Sequence, residues 1–446
     1  VLVAVLLLQT WYLEGLLVPM KVTSGSMAPG LLGPHQELVC DDCGARFAIG
    51  TDARPNLYAV CPNCGYAENR PSNLPELGGD WTLVSRPVFQ LRPPQRWEVV
   101  AFRNPERAGR IAVKRVVGLP GEAVEIRDGE VYVNGAIQRK PFAQQKAMAV
   151  LVYDADHAPK LETLPPRWRG DLPNSQWSWT DGRLTRPATP DQKAVDWLSY
   201  SHWNRLPGQP GKVQRGPITN TSSYNQAFPQ RSEIVRPVPD LLLSFRLVKT
   251  SGAGKLLVKL TDGRELIRVE LDPERERLEV FHNDQRLEGL SGGDVVRCAA
   301  GCQIDVALID CQFTLALDGR IVMQWSYEPG RDPPPPTLRP VAIGARRLGV
   351  EICDLRLYRD VYYTRPIGRD ARWGVDHPCH LGTGQYFVLG DNSAISLDSR
   401  TWPQGPAVPE ELLVGKPFLV DFATQRVGWG RGSFLIPDLT RIRYIR

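Results

Sequence analysis

The chain has 446 residues, 42% of them hydrophobic, and its 54 basic against 49 acidic residues leave a formal charge of only +5. That length holds about two to four domains with ample apolar material for packed cores, and so mild a charge argues against nucleic acid as a partner. With 39 prolines, 40 glycines and almost no long helical periodicity beyond the N-terminal segment, a mainly β protein is predicted.

The chain opens on an apolar run, Val1 to Leu8, that continues with interruptions to Val18. A membrane-spanning helix needs about 20 apolar residues, and Gln9, Thr10 and Glu14 break this one. It reads as the tail of a transmembrane anchor over residues 1–20, with Trp11 and Tyr12 near the interface. A cleaved signal peptide would want a small-residue cleavage site, which is not evident; a buried core helix is the other alternative. No second long apolar run occurs, so one anchor puts the bulk of the chain on a single side.

Directly after this segment stands Ser24-Gly25-Ser26-Met27-Ala28-Pro29. Alone it would be a polar turn. A serine hydroxyl becomes a competent nucleophile only beside a base, and a desolvated lysine is one solution. Lys114, between Ile111-Ala112-Val113 and Val116-Val117, has an apolar setting that would lower its pKa from about 10.4 toward neutrality. The Ser26 backbone N–H and the Ser24 hydroxyl are the expected donors to an oxyanion. Gly25 is expected to let a substrate backbone approach closely. No metal or organic cofactor enters such a mechanism.

Residues 40–79 carry two knuckles, Cys40-Asp41-Asp42-Cys43-Gly44 and Cys61-Pro62-Asn63-Cys64-Gly65. Their spacing is that of a zinc ribbon, in which Cys40, Cys43, Cys61 and Cys64 close a tetrahedral structural Zn²⁺ site. Two disulfides are the alternative, favoured by an exported location.

Trp81–Val84 and Trp97–Phe102 read as strands, and Val124–Arg127 with Glu130–Val133 as a hairpin turning at Asp128-Gly129. The stretch 138–376 is too long for a loop and is expected to be an inserted domain. Its first third is rich in tryptophan (Trp168, Trp177, Trp179, Trp197, Trp203). After it come short alternating strands: Leu241–Val248, Lys255–Leu260, Leu266–Leu271, Leu278–His282, Gln303–Leu308, Gln312–Leu317 and Ile321–Trp325. Asp262-Gly263 and Asp318-Gly319 are expected as hairpin turns, and the whole as an antiparallel β-sandwich. Pro333 to Pro336 reads as a stiff surface loop. Cys298, Cys302, Cys311 and Cys353 have no readable connectivity. His377, Cys379 and His380 lack a fourth ligand and read as a loop before the strand Tyr386–Leu389.

Three motifs in one order, Ser24-Gly25-Ser26-Met27, Lys114-Arg115-Val116-Val117-Gly118-Leu119-Pro120-Gly121 and Gly390-Asp391-Asn392…Ser396-Leu397-Asp398-Ser399-Arg400, resemble those of type I signal peptidases. The resemblance covers roughly residues 1–39, 80–137 and 380–422. It implies that Ser26 is the nucleophile, Lys114 the general base and Ser24 an oxyanion donor. It further implies that Ser396 orients the lysine, that Asp398 and Arg400 form a supporting ion pair, and that Asp391 and Asn392 belong to the same supporting motif. Arg96-Trp97-Glu98 departs from the family's Gly-Asp-x-Val turn. The insertion, around Phe313–Arg320, Gly344-Ala345 and Val350–Tyr358, is weakly similar to concanavalin- or laminin-G-like jelly rolls.

The fold class expected is therefore mainly β. A signal-peptidase-type coiled β-sheet core (residues 21–39, 80–137 and 377–436) follows a transmembrane helix and carries a zinc ribbon (40–79) and a β-sandwich (138–376). The resemblance implies a peptidase on the exported, periplasmic face of the cytoplasmic membrane. Its partners would be preprotein signal peptides, membrane lipid at the N-terminal helix, and a glycan or envelope protein at the sandwich, with no nucleic acid. A Ser/Lys autoproteolytic repressor would instead begin with a DNA-binding helix-turn-helix. The other alternative is a catalytically silent envelope binding protein.

Overall fold

The computed structural model describes the chain except for residues 1–2, 8–14, 52–56, 181, 207, 210, 228–234, 289–300, 421–423, 430–431, 438–442 and 446. Its larger core sheet runs, edge to edge, Leu17–Lys21, Trp81–Ser85, Leu413–Val420, Val99–Arg103, Ile111–Gly118, Gln385–Leu389 and Ala407–Pro409, with Arg443–Tyr444 added beside Leu413–Val420. Val99, Val100, Ala101 and Phe102 are all buried. This central strand is covered on both faces, which is why it reads as an unbroken apolar run. One face packs Val100, Phe102, Val116, Tyr386, Val388 and Trp402 together. The other packs Val99 and Val420 against Val22, Met27 and Leu31, so the residue after Ser26 is itself a core residue. Burying a methionine of this kind contributes about 1.5–3 kcal/mol.

The expected anchor does not extend to residue 20. Leu17–Lys21 is an edge strand in antiparallel register with Trp81–Ser85, a position where Pro19 is tolerated because an edge leaves one side of the ladder unpaired. Residues 3–7 are helical, while Trp11 and Tyr12 lie outside the described residues. Among the described residues no helix is long and apolar enough to cross a membrane.

A smaller sheet orders Cys379–His380, Ala123–Arg127, Glu130–Val133 and Ala136–Ile137. Its hairpin turns at Asp128 (φ 50°) and Gly129 (φ 92°), the two left-handed residues that a type I′ turn requires. Cys379 is buried in this hairpin's core, so the His377-Cys379-His380 region forms a short strand edge rather than a loop. Trp97, in the departing Arg96-Trp97-Glu98 turn, also has positive φ (70°). Its N–H donates to Val116 O at 2.7 Å and its carbonyl accepts from Arg115 Nη1 at 2.6 Å, which hold it there.

Two sets of contacts cross the expected domain limits. His35–Val39 pairs with Arg46–Gly50, so this strand belongs to the cysteine-bearing hairpin. Val361 and Tyr363 pack with Val117, Val124, Phe387 and Leu389 of the core. The insertion's sheets accordingly run from Val150 to Arg359, inside the expected 138–376.

Trp203–Arg205 with Val213–Arg215 forms a small antiparallel pair, and the two large sheets are antiparallel as well. The first is built around Gly349–Arg359, Leu241–Ser251, Cys302–Ile309, Gln312–Leu317 and Arg320–Ser326, the second around Asp196–Tyr200, Val341–Arg346, Lys255–Thr261, Leu266–Asp272 and Arg277–His282. Alternate residues meet in one shared core: Leu243, Phe245, Phe313 and Leu315 from the first, Val258, Leu260, Ile267 and Ile343 from the second. Asp318 (φ 47°) and Gly319 (φ 77°) make a two-residue turn. Asp262-Gly263 does not; there Thr261 pairs with Leu266 across a longer loop, in which Asp262 Oδ1 accepts the N–H groups of Arg264 and Glu265 at 2.7 Å each. Trp168 and Trp203 are buried, whereas Trp179 is exposed. None of the described cysteines forms a disulfide; Cys298 lies outside the described residues.

Candidate active site

Ser26 sits in the loop that leaves Leu17–Lys21. It is fixed by the packing of Met27 and by the Ala28 N–H donating to Gly25 O at 3.1 Å. Lys114 lies on Ile111–Gly118 opposite Val100. Its Nζ donates to Ser26 Oγ at 2.5 Å and to Val113 O at 3.2 Å. Burial lowers the Lys114 pKa from 10.5 to about 8, against the opposing pull of the Asp398 and Asp391 carboxylates. Desolvation penalises the ammonium form, and that is the setting a lysine base needs. Ser24 Oγ is 3.3 Å from Ser26 Oγ. Among the described residues no hydrogen-bond acceptor takes the Ser26 backbone N–H.

The Gly390–Arg400 segment closes over this pair. Asn392 donates its backbone N–H to Ser26 O at 3.0 Å and its side-chain Nδ2 to Gly25 O at 2.9 Å. Gly390 must lack a side chain here: a Cβ would lie 2.2 Å from Ser396 Oγ and 2.4 Å from Ser26 O. Asp398 receives Arg400 Nε at 2.9 Å and Nη2 at 2.8 Å, with neither side chain exposed. Burial opposes its ionisation, but Arg400 beside it holds the Asp398 carboxyl below the ordinary carboxylate range. Arg400 also donates to Ser393 Oγ and to the Thr364 carbonyl. Ser396 is fully buried, and its Oγ forms no hydrogen bond of good geometry, to Lys114 or to any other described group. It is nonetheless close enough to Asp398 to help lower that carboxyl's pKa.

Three further residues complete the surroundings of the pair. Arg115, next to Lys114, pairs with Asp391 in a buried bidentate contact. From the insertion, Tyr224 lays its ring across Gly25, where a Cβ would come within 1.9 Å of Cε1. The close neighbour that needs Gly25 is therefore Tyr224. Asn225 pairs with Asn392. Adjacency to the lysine was the only available signal for Arg115; Tyr224 and Asn225 had none, lying in a polar stretch without periodicity.

A family model described as signal peptidase, peptidase S26 matches residues 65–176 and 363–421, which include Lys114 and Gly390–Arg400 but not Ser26. Signal peptidase I V of Bacillus subtilis is 34% identical over 64 residues, 14% of this chain and 37% of that protein. Probable signal peptidase I-2 of Synechocystis sp. is 39% identical over 62 residues, 13% and 28% of the two chains. These matches make parts of the chain similar to signal peptidases. The chain spans about a third of the length of the curated relatives it matches. Among solved structures, a carbohydrate-binding module, CBM66 of Bacillus subtilis, aligns with 44% of this chain and 92% of its own at 9% identity and a TM-score of 0.21. That score is too low to argue from.

Cys40, Cys43, Cys61 and Cys64 converge, with Sγ atoms all within 4.8 Å of one another. Cys40 to Cys64 is 3.6 Å and Cys43 to Cys61 3.7 Å. A tetrahedron of thiolates about 2.3 Å from a zinc ion has edges of about 3.8 Å, so the four residues fit a closed tetrahedral site. Paired across the knuckles in this way, they leave no open position for substrate or water. The second knuckle is also tied to the insertion, since Asn63 Nδ2 donates to His157 O at 2.7 Å and Arg205 Nε to Cys64 O at 2.8 Å.

Proposed function

We propose that the chain is a membrane-anchored Ser/Lys endopeptidase that cleaves signal peptides from exported preproteins. The observation that carries this reading is the contact of Lys114 Nζ with Ser26 Oγ at 2.5 Å, in surroundings that lower the lysine pKa to about 8. Lys114 takes the Ser26 proton as Oγ attacks the scissile carbonyl after a small residue. Ser24 Oγ and the Ser26 N–H donate to the oxyanion. As the C–N bond breaks, Lys114 returns the proton to the leaving amine. Water then attacks the acyl ester, giving its proton to Lys114, which passes it to Ser26 Oγ as the acyl C–O bond breaks and the acid product leaves. Asp398 and Arg400 form the wall behind the lysine, with Ser396 packed against it.

Attachment through the apolar N-terminal segment and a catalytic domain on the exported side belong to the same proposal. So does a structural zinc ion at the four cysteines, with no cofactor in the chemistry. The two-sheet insertion serves as a docking or spacing module toward a glycan or envelope protein.

The test is turnover of a preprotein carrying an Ala-x-Ala site. Ser26→Ala and Lys114→Ala should each reduce kcat by about a thousandfold or more; cleavage that survives in either variant rejects the dyad. Near-complete burial of Ser26, 7% exposed, favours one competing reading, a catalytically silent envelope binding protein. No turnover by the intact chain, together with retention of glycan by it, would select that reading.

A further inference from the structure

Ser223–Ala227 of the insertion forms a short 3-10 turn against the nucleophile loop, although the hydrolytic chemistry makes no demand on it. Tyr224 and Asn225 are 2% and 5% exposed. Asn225 and Asn392 exchange two side-chain amide hydrogen bonds, Nδ2 of each donating to Oδ1 of the other at 2.7 Å. Asn392 Nδ2 also donates to Gly25 O at 2.9 Å, and the Asn392 N–H to Ser26 O at 3.0 Å. Tyr224 covers Gly25 and donates its hydroxyl to Pro34 O at 2.9 Å. Gln226 bonds both backbone groups of Val60 at 2.7 Å. The turn is therefore held at three points, Asn392, Pro34 and Val60.

A primary amide has two donors on one end and an acceptor on the other. Without Asn225, nothing here would satisfy the buried Asn392 Oδ1, and the amide would lose the contact that decides which end faces Gly25. With Asn225 in place, Oδ1 is occupied and Nδ2 serves two carbonyl oxygens at once. Buried polar groups tied in this way restrict a loop to one arrangement.

We propose that Asn225 is a positioning residue for peptide-bond hydrolysis, supplied by the insertion. It fixes the Asn392 side-chain amide, which holds the Gly25 carbonyl beside the Ser26 carbonyl held by the Asn392 backbone N–H, and so sets Ser26 Oγ against Lys114. This rests on the Ser/Lys reading above, and it makes the geometry of the peptidase centre depend on the inserted domain.

The experiment compares Asn225→Ala, Asn392→Ala and the double variant in the full chain, with kcat referred to titrated active sites. Each single change should lower kcat about tenfold with KM nearly constant. The double variant should cost no more than the larger single one, because both act through one contact. A kcat at the parent level in Asn225→Ala, or costs that add, overturns the proposal; a merely structural role would reduce folded protein without changing kcat per site. Amide exchange reads the same relay without turnover. Protection at Ala28 and Asn392 should fall in Asn225→Ala, and unchanged protection overturns the proposal whether or not the chain cleaves a preprotein. Failure of the Ser/Lys reading shows separately, as full activity in Ser26→Ala. If Asn225→Ala does not fold, Asn225→Asp keeps the acceptor and removes the donor, and is judged by the same two readouts.

Discussion

Arg115 and Asp391 face each other through two parallel hydrogen bonds, Nε to Oδ1 at 2.8 Å and Nη2 to Oδ2 at 2.6 Å, across 276 positions of sequence. Their side chains are 4% and 6% exposed. The pair fastens the strand that carries Lys114 to the loop that carries Asn392. Removing one partner strands a buried charge, which costs about 3–5 kcal/mol. Arg115→Met should lower unfolding free energy by that amount in urea titrations at unchanged slope. A loss under about 1 kcal/mol would mean that the pair is not a fastening.

Cleavage should depend on pH through Lys114. Only the neutral amine accepts the Ser26 proton, and burial lowers its pKa to about 8. On the acid side, log kcat/KM should therefore fall with a slope of about one below a midpoint near 8. A profile flat from pH 6 to pH 9, about the window set by that midpoint, would exclude Lys114 as the base.

The same residue should weaken the fold. Lowering its pKa from 10.5 to about 8 corresponds to a destabilisation of about 3 kcal/mol while the unfolded chain holds the proton. The penalty is complete below pH 8 and fades as pH rises toward 10.5, because the unfolded state is the one that binds protons in that window. Lys114→Met should therefore be inactive yet more stable than the parent at pH 7, with the gain shrinking by pH 10. Thermal unfolding at the two pH values measures it, and equal stability at both would contradict the burial argument.

The cysteine site should bind one zinc ion per chain, read by elemental analysis of the purified protein. Stripping the metal with a strong chelator should lower the melting temperature and add four titratable thiols to those of the metal-bound protein. Protein with neither metal nor free thiols at Cys40, Cys43, Cys61 and Cys64 would mean disulfides instead.

Regular alternation made the insertion's strands legible: the expected Gln312–Leu317 is the observed Gln312–Leu317, and Leu266–Leu271 is extended by one residue. Period-two patterns report burial on one face, which Leu266–Asp272 has, with Ile267, Val269 and Leu271 buried and the residues between them half-exposed; Gln312–Leu317 is buried on both faces. Lys114 and Ser26 were legible as residue types in motifs, since each needs the other chemically. The segment Leu17–Lys21 was misread because apolar residues suit a membrane helix and a half-buried strand equally, and its pairing with Trp81–Ser85 is nonlocal. Asp262-Gly263 looked like the Asp318-Gly319 turn, but its loop length was decided by where strand pairing stops. Tyr224 and Asn225 were not legible at all, because their partners at Gly25 and Asn392 lie in another part of the chain and leave no local periodic mark.

Gly25 and Asn392 meet across 367 positions. A ribosome adding about 5–20 residues per second needs roughly 20–70 s to make the chain between them. During that interval the serine has been synthesised but the groups that hold its carbonyl have not. The order of synthesis thus sets the order in which the loop around Ser26 can be held: Tyr224 and Asn225 come before Asn392, and the contacts to Gly25 and Ser26 are complete only with the last of the three.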